Sequence, residues 1–352
     1  MDSQTVRRRG VTEQTEPALK VRGRLRTASS RAIDSRSPSI DRTHHAPEPV
    51  ISVTADDHRT TSPSGIESAE MAAPVEIDPR YALDTAWYAE RERLESLTRL
   101  YDPTTTRILE GIGVGPGWRC LEVGAGTGSI ARWLADRIES VEGVGSVDGG
   151  SVVALDVDTR FLTPLADATL HVERADIEEQ PPARASYDLV HARLVLEHLP
   201  RRQHVLASLV DAVRPGGLLL IEDFDWVTAG MTDPPSAVHT RIVAACLEFL
   251  TAHGYDPHFG RTLPSALRAR GLREVGVCST SETVTSHPVR GVPQWELLVE
   301  QLEPALIARG SVTPADLQEF HDLWHDGRRV AFAPLMISAW GWVSDSHTSG
   351  CG

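Results

Sequence analysis

The apolar positions of this 352-residue chain change rhythm along its length, and those changes mark its elements. Residues 1 to about 75 have no sustained apolar period and contain no Trp, Tyr or Phe. Rich in Ser, Thr, Arg and Pro, such a segment buries too little apolar surface to offset its ordering entropy, so 1–75 is expected to be a disordered tail. Helical spacing follows. Asp84 is placed to cap a helix over 85–100, with Trp87, Leu94 and Leu97 near one face. Asp102-Pro103 supplies a cap and a first-turn proline for a second helix that Gly111 ends, which makes 76–112 a pair of N-terminal cap helices. Short apolar runs then alternate with helical stretches: strands at 120–123, 151–155, 170–174, 187–191 and 218–221, helices at 129–139, 160–167 and 204–213. Residues 141–150 are too glycine-rich for a regular element and read as an exposed loop insertion. Beyond Trp226 the pattern predicts helices at 237–253 and 263–270, a strand at 275–282, helices at 294–309 and 314–326, and a closing strand at 331–342. Such alternation predicts an α/β fold, a doubly wound, mostly parallel seven-stranded sheet with helices on both faces. The helical pair before the last strand reads as a lid insertion over 283–330, leaving 331–343 to close the core and 344–352 as a disordered C-terminus.

One junction in this pattern carries chemistry. In Cys120-Leu-Glu-Val-Gly-Ala-Gly-Thr-Gly-Ser-Ile130 a buried strand runs into three glycines and then into a helix. Bare backbone N–H groups and a helix N-terminus therefore meet at one spot, suited to a nucleotide-like ligand with polar or anionic groups. A dinucleotide fingerprint needs a third glycine where Ser129 stands, which argues against a nicotinamide dehydrogenase. A phosphate cradle would want a lysine, and Lys20 is the sole lysine of the chain.

Composition narrows the partners. The formal net charge is -14, and basic and acidic residues nearly balance in the first 75 residues, so the acidic excess lies in the folded part. No basic run with interleaved aromatics occurs there, which argues against nucleic acid. The hydrophobic content of 41% suffices for a packed core. Cys120, Cys246, Cys278 and Cys351 form no C-x-x-C pair, which argues against a zinc site and a disulfide framework and for a reduced, cytoplasmic setting. No apolar run has spanning length, so no membrane association is expected. A monomer or homodimer is expected.

The stretches Leu121-Glu-Val-Gly-Ala-Gly-Thr-Gly-Ser129, Ala154-Leu-Asp156, Ala175-Asp-Ile177, Tyr187-Asp-Leu-Val-His-Ala-Arg-Leu-Val-Leu-Glu-His-Leu199 and Arg214-Pro-Gly-Gly217 follow one another in order and phase. Together they resemble class I S-adenosylmethionine (SAM) dependent methyltransferases, most of all the bacterial UbiE-like group acting on small molecules, many in specialised metabolism. The resemblance spans about residues 80–280 and implies a Rossmann-like SAM-binding core over 113–282. Strand ends in such a sheet converge on the ligand. Asp156, with Val157 beside it, is placed for the ribose hydroxyls; Asp176 and Ile177 suit the exocyclic amine and the ring face of adenine. Glu122, the loop Gly124, Ala125, Gly126 and Gly128, and the backbone near Ala192 and Arg193 would face the methionine part.

Methyl transfer needs alignment and, where the nucleophile carries a proton, a base. Candidates near strand ends are His191, His198, Glu222, Asp223 and Asp225, of which His191 and Asp223 are chosen as catalytic. His198, in Leu196-Glu-His-Leu-Pro200, is read as structural. Trp87, Tyr88, Trp226 and Trp295 either line a substrate pocket or pack the lid. No metal site is expected. Asp233-Pro-Pro-Ser236 is read as a loop, since it follows the fifth strand and lacks the aromatic of nitrogen methyltransferases. The expected function is methyl transfer from SAM to O, N or C of a small organic molecule. The rivals are a peptide or protein acceptor and a SAM-binding regulator or cyclase-like protein without transfer.

Overall fold

The computed structural model describes residues 83–139, 149–285, 294–325 and 329–345. The expectations for the N-terminal tail, most of the glycine-rich insertion, the start of the lid and the extreme C-terminus lie outside the described residues. In chain order the elements are α1 (Glu90–Ile112), β1 (Arg119–Val123), α2 (Ser129–Ile138), β2 (Ser151–Asp156), β3 (Leu170–Arg174), β4 (Tyr187–Arg193), α3 (Arg202–Ala212) and β5 (Val213–Asp225). They continue with β6 (Thr232–Asp233), α4 (Ala237–Ala252), α5 (Phe259–Ala269), β7 (Arg273–Thr285), α6 (Gln294–Ala308), α7 (Pro314–His325) and β8 (Val330–Trp342).

Strands β3, β2, β1, β4 and β5 lie side by side and parallel, with Cys120 opposite both Val152 and Leu189. Strand β8 runs antiparallel along β5 and pairs with β7 along its other edge. The two-residue β6 extends the sheet beyond the end of β5, pairing Thr232 with Ala331. The inner strands read as continuous apolar runs because both faces are covered. One face packs Leu121, Val123, Val190 and Leu219 against Leu206 and Leu209 of α3 and Leu263 and Leu267 of α5. The other packs Cys120, Val152, Leu189 and Leu218 against Leu109 of α1 and Ile130 and Leu134 of α2. A third cluster joins Ile242 and Cys246 of α4 to Trp295 and Leu302 of α6 and Phe320 and Trp324 of α7. It stands above the carboxyl end of β5 and the amino half of β8 through Phe224, Trp226 and Met336.

Several elements differ from the sequence pattern, and the described sheet has eight strands where seven are expected. The two expected N-terminal helices are one helix, α1, which runs through Pro103. An interior proline costs about 3 kcal/mol, but buried Tyr101, Thr104, Thr105 and Leu109 hold both halves against the protein, and Asp102 bonds Arg193 instead of capping. The helix expected at 160–167 is a single 3-10 turn, Thr163–Leu165. Its leucines are used otherwise: Leu162 and Leu165 pack directly over Gly128. Finally, α5 starts at Phe259, four residues before the helix expected at 263–270. Gly260 allows this, since a Cβ there would lie 2.4 Å from the Asp223 carbonyl oxygen. The Asp233-Pro-Pro-Ser236 stretch, read as a loop, contributes β6 and then Ser236, whose side chain accepts from His239 N to cap α4. Among the described residues no helix is long and apolar enough to cross a membrane.

Candidate active site

Strand β1 ends at Val123 and the chain turns through Gly124, Gly126 and Gly128, all with positive φ (65°, 57° and 82°). The outer glycines are also required by packing. A Cβ on Gly124 would meet Val195 Cγ2 at 2.3 Å, and one on Gly128 would meet Leu165 Cδ1 at 2.5 Å. Gly126 is different, with nothing nearer than Leu94 at 3.9 Å. Its bare backbone borders open space, as a ligand cradle requires. Asp156, at the end of β2, holds the bend in place: one carboxylate oxygen accepts from Gly126 N at 2.8 Å and the other from Asp158 N at 3.0 Å. Burial, the largest influence, raises its pKa above the usual carboxylate range, against the lowering by these backbone donors. Helix α2 begins at Ser129 with no side-chain cap, so its positive end faces the same space.

That space is a cavity of about 870 Å³. Its walls bring together Glu122, Gly124, Ala125, Gly126, Asp156, Val157, Asp176, Ile177 and Arg193 from the sequence-predicted set. Two others are not on the wall. Gly128 is buried at the start of α2, and Ala192 is buried within the sheet between Val123 and Ile221. Sequence reasoning missed Phe161, which lines the cavity beside Val157 with the guanidinium groups of Arg91 and Arg160 4.3 and 4.7 Å from its ring centre. A lone Phe inside an expected helix gave no signal for this. Of the four aromatics considered, Trp226 and Trp295 line the cavity, while Trp87 and Tyr88 pack edge to face outside it.

The two residues chosen as catalytic do not line this cavity. His191 is fully buried inside the sheet, with Nδ1 2.6 Å from Glu122 Oε2 and Nε2 3.0 Å from Glu222 Oε2. Burial alone would depress its pKa, but the flanking carboxylates outweigh it and push it up to about 9. His191 is therefore an imidazolium that donates both N–H groups to structural partners, and no ring nitrogen is left to take a proton. The network extends outward. Glu222 also accepts from Thr105 Oγ1 at 2.6 Å and from the Ser338 hydroxyl, and Arg193 bonds Thr105 Oγ1 at 2.9 Å and Asp102 Oδ1 at 2.6 Å. Asp223 is fully buried as well, accepting from Val195 N at 3.2 Å, and burial followed by the nearby Glu197 carboxyl raises its pKa well above normal. Asp225 is committed to His258 Nδ1 at 3.0 Å and Arg261 Nε at 2.6 Å.

Two further titratable groups reach the cavity from the segment after β4. Glu197 lines it while only 1% exposed, and accepts from Phe224 N at 2.7 Å. Tyr255 hydrogen-bonds the same carboxyl, and its hydroxyl accepts from Trp226 Nε1 at 2.7 Å. Burial pushes the Glu197 pKa up to about 8. His198, read as structural from sequence, also lines the wall, its ring edge-on to Tyr255 at 4.8 Å. Burial first, then the charges of Arg93 and Arg202, depress it to about 3, so the imidazole is neutral. Opposite stands a buried bidentate pair, Arg93 to Glu90 at 2.7 and 2.6 Å. The cavity thus has a polar end at the glycine bend and an aromatic end bounded by Phe224, Trp226, Tyr255 and Trp295. Among the described residues no group of three or more His, Cys, Asp or Glu could hold a metal ion.

A family described as "Methyltransferase domain" matches residues 121–219, the stretch that builds β1 to β5. The methyltransferase str2 of Strobilurus tenacellus is 32% identical over 202 residues, covering 56% of this chain and 69% of that protein. The 27-O-demethylrifamycin SV methyltransferase of Amycolatopsis mediterranei is 28% identical over 222 residues, covering 62% and 73%. Among solved structures, phosphoethanolamine N-methyltransferase 2 of Haemonchus contortus in complex with S-adenosyl-L-methionine is similar, with 17% identity and a TM-score of 0.41. That match covers 72% of this chain and about half, 52%, of the neighbour.

Proposed function

The chain belongs to the class I SAM-dependent methyltransferases, and from that premise we propose that it transfers the methyl group of SAM to a small organic acceptor in specialised metabolism. The observation that carries the acceptor class is the continuous cavity that runs from the glycine bend to the aromatic end. A cavity of about 870 Å³ is within the range of small-molecule sites and has room for a second molecule of modest size beside a nucleoside. The residues present fit the cofactor. Gly126 leaves a backbone cradle that any Cβ would fill, and the uncapped start of α2 faces a carboxylate. Asp156 takes the ribose hydroxyls, Asp176 the adenine amine, and Val157 and Ile177 the ring faces. Glu122 faces the amino group of the methionine part, while His191, itself braced by Glu222, holds the Glu122 carboxylate from behind.

Bound in that cradle, SAM supplies a methyl group already activated on a sulfonium. What the protein adds is proximity, alignment and exclusion of water. The cavity wall formed by Trp226 and by Trp295 and Leu298 of α6 orients the acceptor, and α6 with α7 serves as the lid. The acidic groups around the bend favour a cationic cofactor over a phosphate.

Calorimetric titration of SAM into the full chain tests the cofactor site. Binding is expected for the wild type, and none for Gly126→Arg with an unchanged circular dichroism spectrum. Methyl-labelled SAM offered with a panel of phenols, enols and amines then tests the acceptor class. Label confined to protein or peptide would favour the rival reading.

A further inference from the structure

We propose that Glu197 is the proton acceptor of the transfer step and that the acceptor group it serves is a hydroxyl. The inference rests on the methyltransferase reading and deepens it. Its basis is placement. Val195 sits against the glycine bend, since a Cβ on Gly124 would meet its Cγ2 at 2.3 Å, so the segment it belongs to backs the cradle directly. Two residues further, Glu197 lines the cavity that joins that cradle to the aromatic end. Of the other acids near the strand ends, Asp156 and Asp176 are taken by the cofactor in that reading, Glu122 and Glu222 clamp His191, Asp225 is paired with His258 and Arg261, and Asp223 lies behind the wall.

Glu197 is also held as a base must be. Phe224 N fixes Oε2 at 2.7 Å, and the hydroxyl of Tyr255, itself fixed by Trp226 Nε1, bonds the same carboxyl. Oε1 lies 3.8 Å from His198 Nε2, too far for a hydrogen bond. The step balances. The acceptor oxygen bonds the methyl carbon, the carbon–sulfur bond breaks to leave a neutral thioether, and the hydroxyl proton passes to the Glu197 carboxylate. An amine or carbon acceptor could lose its proton to water after transfer, whereas a hydroxyl gains most from losing it during the step, which is the work a buried carboxylate can do.

The groups facing Glu197 pull its proton affinity in both directions. Asp223 comes from β5 and Asp256 from the turn after α4, both acidic, while Arg202 of α3 opposes them and His198 beside it is neutral. Burial, helped by Asp256, outweighs the lowering by Phe224 N, the Tyr255 hydroxyl and Arg202 and raises the carboxyl to about 8. Transfer is therefore expected to rise with pH up to about 8 and then level off.

The test uses the full chain and Glu197→Gln. Expected are a SAM affinity within about threefold of wild type and a loss of about 100-fold or more in label transfer to phenols, the usual worth of a positioned base. Expected too is the loss of a protonated-carboxyl infrared band that titrates near pH 8 in the wild type without any acceptor. Where Glu197→Gln lowers stability too far to assay, Glu197→Asp is read instead, with the pH profile retained and the rate reduced. Transfer by Glu197→Gln within a few-fold of wild type, or an infrared band unchanged by the substitution, would overturn the assignment and leave the methyltransferase reading standing. Label appearing only on amines or carbon would overturn the hydroxyl. A wild type that binds SAM yet labels no acceptor at all would sink both readings.

Discussion

At the scale of single residues, chemistry and structure compete for the same side chains, and burial decides between them. His191 has the type and strand-end position of a base, but both its nitrogens are spent on Glu122 and Glu222. Removing it strands two buried carboxylates. His191→Gln is therefore expected to cost about 3–5 kcal/mol in urea unfolding, and a loss under 1 kcal/mol would show that the clamp contributes little. Gly260 makes a similar point through the backbone. Its missing Cβ lets α5 start against the carbonyls of Asp223 and Phe224, at 2.4 and 2.7 Å from where a Cβ would stand. Gly260→Ala should destabilise the protein by about 1–3 kcal/mol through overpacking, with urea midpoints as the readout. These two assignments also mark what the sequence could not convey. Residue type and strand-end position put Glu122, Asp156 and Asp176 on the cavity wall, but they could not say whether a side chain faces that cavity or an adjacent strand. Glu197 and His198 went unchosen for the same reason, because exposure to the cavity depends on how the segment after β4 turns.

Elements were legible where periodicity was strong. The first four parallel strands, α3, α4, α6 and α7 are within a few residues of their sequence bounds, whereas β5, expected at 218–221, runs from Val213 to Asp225. Reading failed where tertiary packing redirected a side chain. Pro103 is read as a helix start, yet Asp102 is drawn off to Arg193 and α1 runs straight through. The stretch after Phe161 has helical spacing, yet Leu162 and Leu165 are used to cover Gly128. At this scale the strand ends make their own prediction. Asp156 joins β2 to the glycine bend through Gly126 N, so Asp156→Ala removes the brace of the cradle together with the ribose acceptor proposed above. SAM affinity is expected to weaken by about 1–3 kcal/mol, read by calorimetry. An unchanged affinity would place the ribose contact on another residue. By contrast Trp295, on α6, belongs to the aromatic end. Trp295→Ala should leave SAM binding nearly intact while raising the KM of the acceptor, and equal losses for both ligands would count against separate ends.

Across the whole molecule, the buried charges bias stability with pH in one direction on the alkaline side. His191 is raised from its unfolded value near 6.5 to about 9, so the stability it contributes is fully present below 6.5 and is lost as pH rises through 9. Glu197 is raised from 4.5 to about 8, and its effect has the same sign, fading as pH rises through 8. Asp223, also raised, adds to it. On the acid side the signs differ. His198, depressed to about 3, makes folding less favourable below 6.5, because the unfolded chain takes up a proton that the folded one refuses. Asp316, lowered to about 2 by Thr313 and Arg241, likewise loses its contribution in acid. Urea unfolding at fixed ionic strength should therefore show stability falling by several kcal/mol from pH 6.5 to 9, since a group whose pKa differs by one between the folded and unfolded chain contributes about 1.4 kcal/mol. The slope should be shallower in Glu197→Gln, which removes one of the titrating groups, and shallower again in His191→Gln. A stability that stays level or climbs over that interval would mean that neither buried group holds its proton in the folded chain, and with it would go the argument that His191 is an imidazolium locked inside the sheet.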